Sequence, residues 1–316
     1  MIPSFDLLTI GNATIDIFLM IKKTNKHFRL DKKTNELCVK FGDKVTIDKL
    51  DFSIGGNAAN VAVGISRMGL KSAIMAEIGS DEFAPKIISD LRKEGVSEIF
   101  LKQTPNAPCR FSVIITYKKE RTVLREDIKR ENDFNLEGIS AKWIYLTSLE
   151  DKWQGAYKRS LTFAKTTGAK IAFSPGTSQL DRGESSIDII LKEAEILFVN
   201  KEEAKTLLSS KTEDVEKLLE ELLKLGPKTA VITDGKNGSF LYNKREGFLK
   251  QGIVKQKVIS KAGAGDAYSS GFLSAIMYGK NFKEAMKWGT LNAASVIGKV
   301  GTQLGLLKKK EIEERK

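Results

Sequence analysis

Histidine is nearly absent: His27 is the only one in 316 residues. That excludes Ser-His-Asp triads, HExxH zinc sites and most imidazole-based schemes, and it leaves carboxylates to do any acid–base work. Two cysteines, Cys38 and Cys109, cannot make a disulfide framework. With no leader expected, they read as reduced thiols in a cytoplasmic protein. No apolar run reaches 18 residues, so no membrane span and no membrane partner are expected. The opening MIPSFDLLTIG has no basic stretch ahead of its apolar run and reads as a first strand rather than a secretory leader. Two nucleotide-binding signatures are missing as well. The nearest candidate for GxxxxGK[ST], residues 64–71, has Leu70 where lysine is required, and Gly265 is followed by Asp-Ala-Tyr rather than completing GxGxxG.

What is present is basic and globular. Lys and Arg number 52 against 40 Asp and Glu, a formal net charge of +12. The bases are dispersed: Lys22, Lys23, Lys26, Lys32 and Lys33 early, Lys118, Lys119 and Arg121 mid-chain, Lys308 to Lys310 near the end. Only the last group is a run, and it passes into Glu311, Glu313 and Glu314, as a solvated terminal helix would. No aromatics interleave with the bases, so nucleic acid is not an expected partner, and anionic small molecules fit better. The length allows two domains, or one large α/β domain with an appendage.

Apolar, β-branched runs at 5–11, 72–78, 111–117, 143–147, 170–173, 196–199 and 229–233 predict strands. Helical periodicity lies at 57–68, 84–94, 153–166, 187–193, 201–207 and 212–225. Strands alternating with helices predict an α/β fold: a mostly parallel, doubly wound sheet with helices on both faces. Residues 15–52 and 104–126 break the rhythm, alternating apolar and polar with no helix between, and predict a small antiparallel sheet beside the main one.

The most informative segment is VISKAGAGDAYSSGF at 258–272. A strand-like run ends, and the Gly263-Ala264-Gly265 turn opens a helix near Asp266. Small residues let backbone N–H groups converge there, a favourable place for phosphate or a developing oxyanion. A carboxylate beside such a nest suits a general base for a hydroxyl nucleophile, and equally suits a helix N-cap. Gly55-Gly56-Asn57-Ala58-Ala59-Asn60 allows close backbone approach, with amides that donate to and accept from hydroxyls, or is a glycine turn with an Asn cap. Asp16 follows the first strand. Asn200 and Glu203, three apart at a strand–helix junction, share a face that would suit a hydrated Mg²⁺ or a helix cap. Residues 233–238, TDGKNG, also read as a hairpin turn.

Taken in this order, these pieces resemble the ribokinase-like, or PfkB, family of carbohydrate and nucleoside kinases, over nearly the whole chain. The resemblance implies one ribokinase-like domain over 1–316, with a β-sheet lid from about 15–52 and 104–126. It implies ATP-dependent transfer of a phosphoryl group to a sugar hydroxyl. Asp266 would be the catalytic base, with backbone N–H groups of Gly263, Ala264 and Gly265 as the anion hole. Asp16, Gly55, Gly56, Asn57 and Asn60 match acceptor-binding positions. Asn200 and Glu203 match the motif that organises Mg²⁺ and the ATP phosphates, Glu203 through water. Thr233, Gly235 and Gly238 match the nucleotide loop, and Asn292 lies in the stretch that lines adenine.

Ser260-Lys261-Ala262 stands where many members carry an aspartate that resembles a monovalent-cation ligand, so K⁺ dependence stays open and Lys261 is a candidate replacement for the cation. Asn57 fills a slot often held by lysine in ribokinases, and Thr14 one often held by asparagine, so ribose is not singled out. The alternatives are a nucleoside, with Phe18 or Phe41 stacking on the base; a sugar phosphate anchored by Arg110, Arg121 or Arg125; and, from another class, a silent binding protein. Glu150 is a further candidate sugar contact. The apolar side of the lid would suit a homodimer.

Overall fold

Neighbouring residues of a strand face opposite ways, and here that alternation builds two apolar layers around one sheet. Leu8, Ile10, Ile144, Leu146, Leu197 and Val199 enter one buried cluster, whereas Leu7, Trp143, Tyr145, Ile196 and Phe198 enter another. Helices Trp153–Thr167, Glu184–Leu191, Lys201–Leu207 and Val215–Lys224 cover the first layer; Asn57–Arg67, Ala264–Met277 and Phe282–Ile297 cover the second. Both faces are covered, so the strands read as nearly continuous apolar runs. The computed structural model describes residues 4–315 apart from 119, 127 and 151; Lys119, counted among the mid-chain bases, lies outside the described residues.

The main sheet has nine strands among the described residues, in the order Gly247–Gln251, Ser239–Asn243, Thr229–Thr233, Ala194–Asn200, Lys170–Phe173, Ser140–Leu146, Ser4–Ile10, Ser72–Ile78, Ser97–Gln103. Every neighbouring pair runs parallel except the two that involve Ser239–Asn243. From the central Ser4–Ile10 strand the chain winds first one way, to 72–78 and 97–103, and then the other, through 140–146 outward. The order reverses between Ser4–Ile10 and Ser140–Leu146. In a doubly wound sheet, ligands bind beyond the strand ends at such a switch point.

A second sheet of four strands, Lys49–Gly55, Thr14–Ile21, Phe111–Tyr117 and Glu120–Arg125 in that order, is made from the two segments that break the helical rhythm. Pairing is antiparallel within each segment. Where the segments meet, Thr14–Ile21 runs parallel to Phe111–Tyr117, because both strands enter from the same side of the main sheet. A short hairpin, Phe28–Asp31 with Glu36–Val39, extends the first segment.

Two local expectations need correction, and one alternative is settled. The strand-like run before Gly263 is irregular over 252–262, and its apolar Ile253, Val254 and Ile259 are exposed rather than paired. The helix after it begins at Ala264, with Gly263 as its cap, rather than at Asp266. The turn at 235–237 joins the antiparallel strands Thr229–Thr233 and Ser239–Asn243, the hairpin alternative for that segment. Among the described residues no helix is long and apolar enough to cross a membrane.

Candidate active site

The C-terminal ends of the main strands, the Gly263–Gly265 turn and the inner face of the second sheet enclose a cavity of about 390 Å³. Asp16, Asn57, Asn60, Asn200, Glu203 and Asp266 all line it, together with Gly56, Thr233, Gly263, Ala264 and Gly265. Residues up to 250 positions apart in sequence therefore meet at the switch point.

Asp266 sits in the first turn of Ala264–Met277, where helix N–H groups lack partners within the helix and the end of the dipole is positive. Gly263 caps that helix with φ +74°, a left-handed conformation that favours glycine, and a Cβ on it would lie 2.8 Å from the Cβ of Thr302. Burial pushes the Asp266 carboxyl up to about 7. The hydrogen bond from Asn60 Nδ2 to Asp266 Oδ2, 2.8 Å, and the Arg121 charge oppose this, while the charges of Asp16 and Glu203 reinforce it. A carboxylate of this kind is a usable base near neutral pH.

Asp16 projects from the second sheet, accepts a hydrogen bond from Thr14 Oγ1 at 3.0 Å, and is buried; burial raises its carboxyl to about 6. Gly55 does not line the cavity, but a Cβ there would occupy the place of the Asp16 carboxylate. Its role is to leave room for Asp16. Asn60 is 3% exposed, and its amide is committed to protein partners: besides Asp266 it accepts from Thr302 Oγ1 and Gln303 Nε2. It faces the carboxylate at least as much as any acceptor.

On the opposite side, Asn200 and Glu203 form a capping box: Glu203 N donates to Asn200 Oδ1 at 2.9 Å, and Asn200 N donates to the Glu203 carboxylate at 2.8 Å. Both nonetheless line the cavity, so capping and ligand readings coexist here. Burial raises Glu203, and the Asn200 N–H partly offsets that. Among the described residues no cluster of three His, Cys, Asp or Glu side chains forms a ready-made metal site.

Three expectations change. Asn292 is fully buried away from the cavity: it donates to Ala267 O and Ser270 Oγ and accepts from Leu307 N, so it ties two helices to the C-terminal segment and has no side-chain group left for a nucleotide. Gly235 and Gly238 shape the hairpin turn beside Thr233 without reaching the cavity. Phe18 is buried against Ile114 and Ala262, and Phe41 is fully exposed, so neither is placed to stack on a base in the cavity. Lys261, the candidate replacement for a monovalent cation, lines the cavity and pairs with Glu120 of the second sheet at 2.6 Å.

Residues not picked out as site residues also line the cavity. Among them are Ser148, Ser174 and Thr177 beyond the strand ends, and Thr302. The three arginines weighed as anchors all line it too, but Arg125 is paired with Glu150 at 2.7 Å, and Arg110 lies 3.9 Å from the same carboxylate.

A doubly wound sheet, a covering β-sheet and a carboxylate at a glycine-opened helix N-terminus define a kinase architecture. The description "pfkB family carbohydrate kinase" matches residues 20–309, and the chain belongs to that family. The 5-dehydro-2-deoxygluconokinase of Halalkalibacterium halodurans is 26% identical, covering 98% of this chain and 93% of its own. Two solved structures share the fold. One is a Methanocaldococcus jannaschii nucleoside kinase, TM-score 0.80 at 21% identity over 99% of this chain and 98% of its own. The other is an Arabidopsis thaliana ribokinase complexed with ribose and ATP, TM-score 0.80 at 20% identity over 99% and 98%.

Proposed function

We propose that the protein transfers the terminal phosphoryl group of ATP to a hydroxyl of a small sugar, with Asp266 as the base. The observation that carries this is the place of Asp266: half-buried at the helix N-terminus, held by Asn60, beside the Gly263–Gly265 turn in the shared cavity. The acceptor hydroxyl gives its proton to Asp266 as its oxygen bonds to phosphorus, and the bond to the bridging oxygen breaks, releasing ADP. N–H groups of the turn receive the charge on the transferring group. Asp16 and Asn57 would hold acceptor hydroxyls. Mg²⁺ would screen the triphosphate, and Glu203 and Asn200, which line the cavity, would hold it through water. The second sheet, a lid over the cavity within a single domain, excludes water so that transfer outcompetes hydrolysis.

A sugar is favoured over a nucleoside because the chain belongs to a family of carbohydrate kinases; Phe18 and Phe41 stand outside the cavity, and the aromatics that line it are Phe111, Phe198 and Tyr268. A panel of ribose, 5-dehydro-2-deoxygluconate, ribose 5-phosphate and adenosine with Mg-ATP tests this. ADP release is expected with at least one sugar. Turnover of adenosine alone would replace the acceptor class, and no ADP with any acceptor would favour a silent binder.

We also propose a homodimer through the lid. Its support is the outer face of the second sheet, where Leu19, Leu50, Phe52, Val113, Ile115 and Leu124 lie in register across four strands, with Leu50, Phe52 and Leu124 each over 40% exposed. Light scattering should give twice the 35.0 kDa chain mass for the native protein, and the single mass for Phe52→Asp with Leu124→Asp. A monomeric native protein at micromolar concentration would end the dimer reading.

A further inference from the structure

Asn60 is held at both ends of its amide. Oδ1 accepts from Thr302 Oγ1 at 2.9 Å and from Gln303 Nε2 at 3.0 Å, while Nδ2 donates to Asp266 Oδ2 at 2.8 Å. The two ends of a primary amide have nearly the same shape, so hydrogen bonding alone decides which way it points. Two donors fill the lone pairs of Oδ1, which obliges the N–H end to face the carboxylate. Turned over, the amide would set N–H against two donors and an oxygen against Asp266. Asn60, Thr302 and Gln303 are all buried, so water would not repair those contacts.

The segment that carries the two donors is itself fixed. Arg67 Nη1 donates to Gln303 O at 2.7 Å and to Leu306 O at 3.0 Å, and the rest of its guanidinium grips Glu94 at 2.8 and 2.7 Å. The Thr302 backbone packs against Gly263, so the same residue touches the turn and the amide.

We propose that Thr302 and Gln303 are positioning residues for phosphoryl transfer: they lock the amide of Asn60 so that its N–H aims the Asp266 carboxylate and favours its ionised form. The inference rests on Asp266 being the base. The other groups acting on Asp266 stay in place when the lock is removed: the charges of Asp16 from the second sheet and Glu203 from the strand–helix junction oppose its ionisation, and that of Arg121 favours it. Tyr145, which also feels Asp266, is kept neutral by burial.

Thr302→Val and Gln303→Met keep shape and remove the donors. In the double variant the acid limb of the kcat/KM profile should move up by about one pH unit, the worth of a hydrogen bond to a charged group. Activity would then fall about tenfold near pH 6 and stay within about twofold near pH 9, with KM for ATP unchanged. Thr302→Ser, which keeps the hydroxyl, should retain the native profile. An unmoved limb, or a loss equal at every pH, would overturn the proposal. If the double variant does not fold, Gln303→Met alone is read against the same criteria. Asp266→Asn serves as the reference: if it keeps native activity, the base assignment and this inference both fall, whereas a dead reference with an unmoved limb removes only the positioning role.

Discussion

Asp266→Asn should lower kcat by roughly 10²–10⁴-fold, the usual range for a lost general base. Asparagine keeps the size of the side chain and its place near Asn60, so nucleotide affinity should change little. The same substitution should make the folded protein more resistant to heat at pH 8. The sign follows from the shift: the folded-state carboxyl, at about 7, lies above its ordinary 3.8, so the folded chain holds that proton more tightly than the unfolded chain does. This contributes stability that is full below 3.8 and is lost as pH rises through 7. Asp16, raised to about 6, behaves likewise. At pH 8 the native protein therefore carries a desolvated charge that asparagine removes, a gain on the order of 1 kcal/mol that should disappear toward pH 4. Thermal melting of both proteins across that range measures it. Lower stability of Asp266→Asn at pH 8 would contradict the picture of a carboxylate held ionised against burial.

Gly263→Ala and Gly265→Ala should separate folding from catalysis. At Gly263 a methyl group would meet Thr302 at 2.8 Å from its Cβ and 2.9 Å from its Cα, on a backbone at φ +74°. Backbone cannot yield as a side-chain tip does, so the turn and the 302–306 segment must move. Stability should fall by about 2 kcal/mol or more, and kcat by roughly 10²-fold as the N–H nest opens. At Gly265 a Cβ meets nothing within 4 Å, because the site of the methyl is the cavity itself. That variant should melt like the native protein yet turn over slowly, since the methyl stands where the transferring group must approach. Equal melting of the two variants would show that Gly263 is not needed for the packing against Thr302.

Both substitutions lie in the segment most legible from sequence. A glycine-opened helix with an aspartate in its first turn has a local physical meaning, and so do a glycine pair before Asn57 and a strand–helix junction at Asn200. Pattern alone also gave the two-sided sheet, because parallel strands buried on both faces leave near-continuous apolar runs. What sequence could not convey was set by contacts between distant segments. Thr302 and Gln303 meet Asn60 across more than 240 positions, and nothing local marks them. Asn292, one polar residue among several on its helix, matched a nucleotide-lining stretch, but which neighbour its amide bonds depends on how two helices pack. Residues 252–262 carry strand-like Ile253, Val254 and Val258 yet find no sheet edge to join. The parallel pairing of Thr14–Ile21 with Phe111–Tyr117 likewise depends on where the main sheet delivers each segment.

The pH dependence of kcat/KM, measured on the native enzyme with its best sugar acceptor beside Asp266→Asn, tests the account most directly. A carboxylate base raised to about 7 predicts activity that climbs with pH through a single ionisation near that value, and a residual rate in the variant that lacks the limb. A native profile that is flat from about pH 5 to 8, or a limb that persists in Asp266→Asn, would mean that the proton leaves by another route.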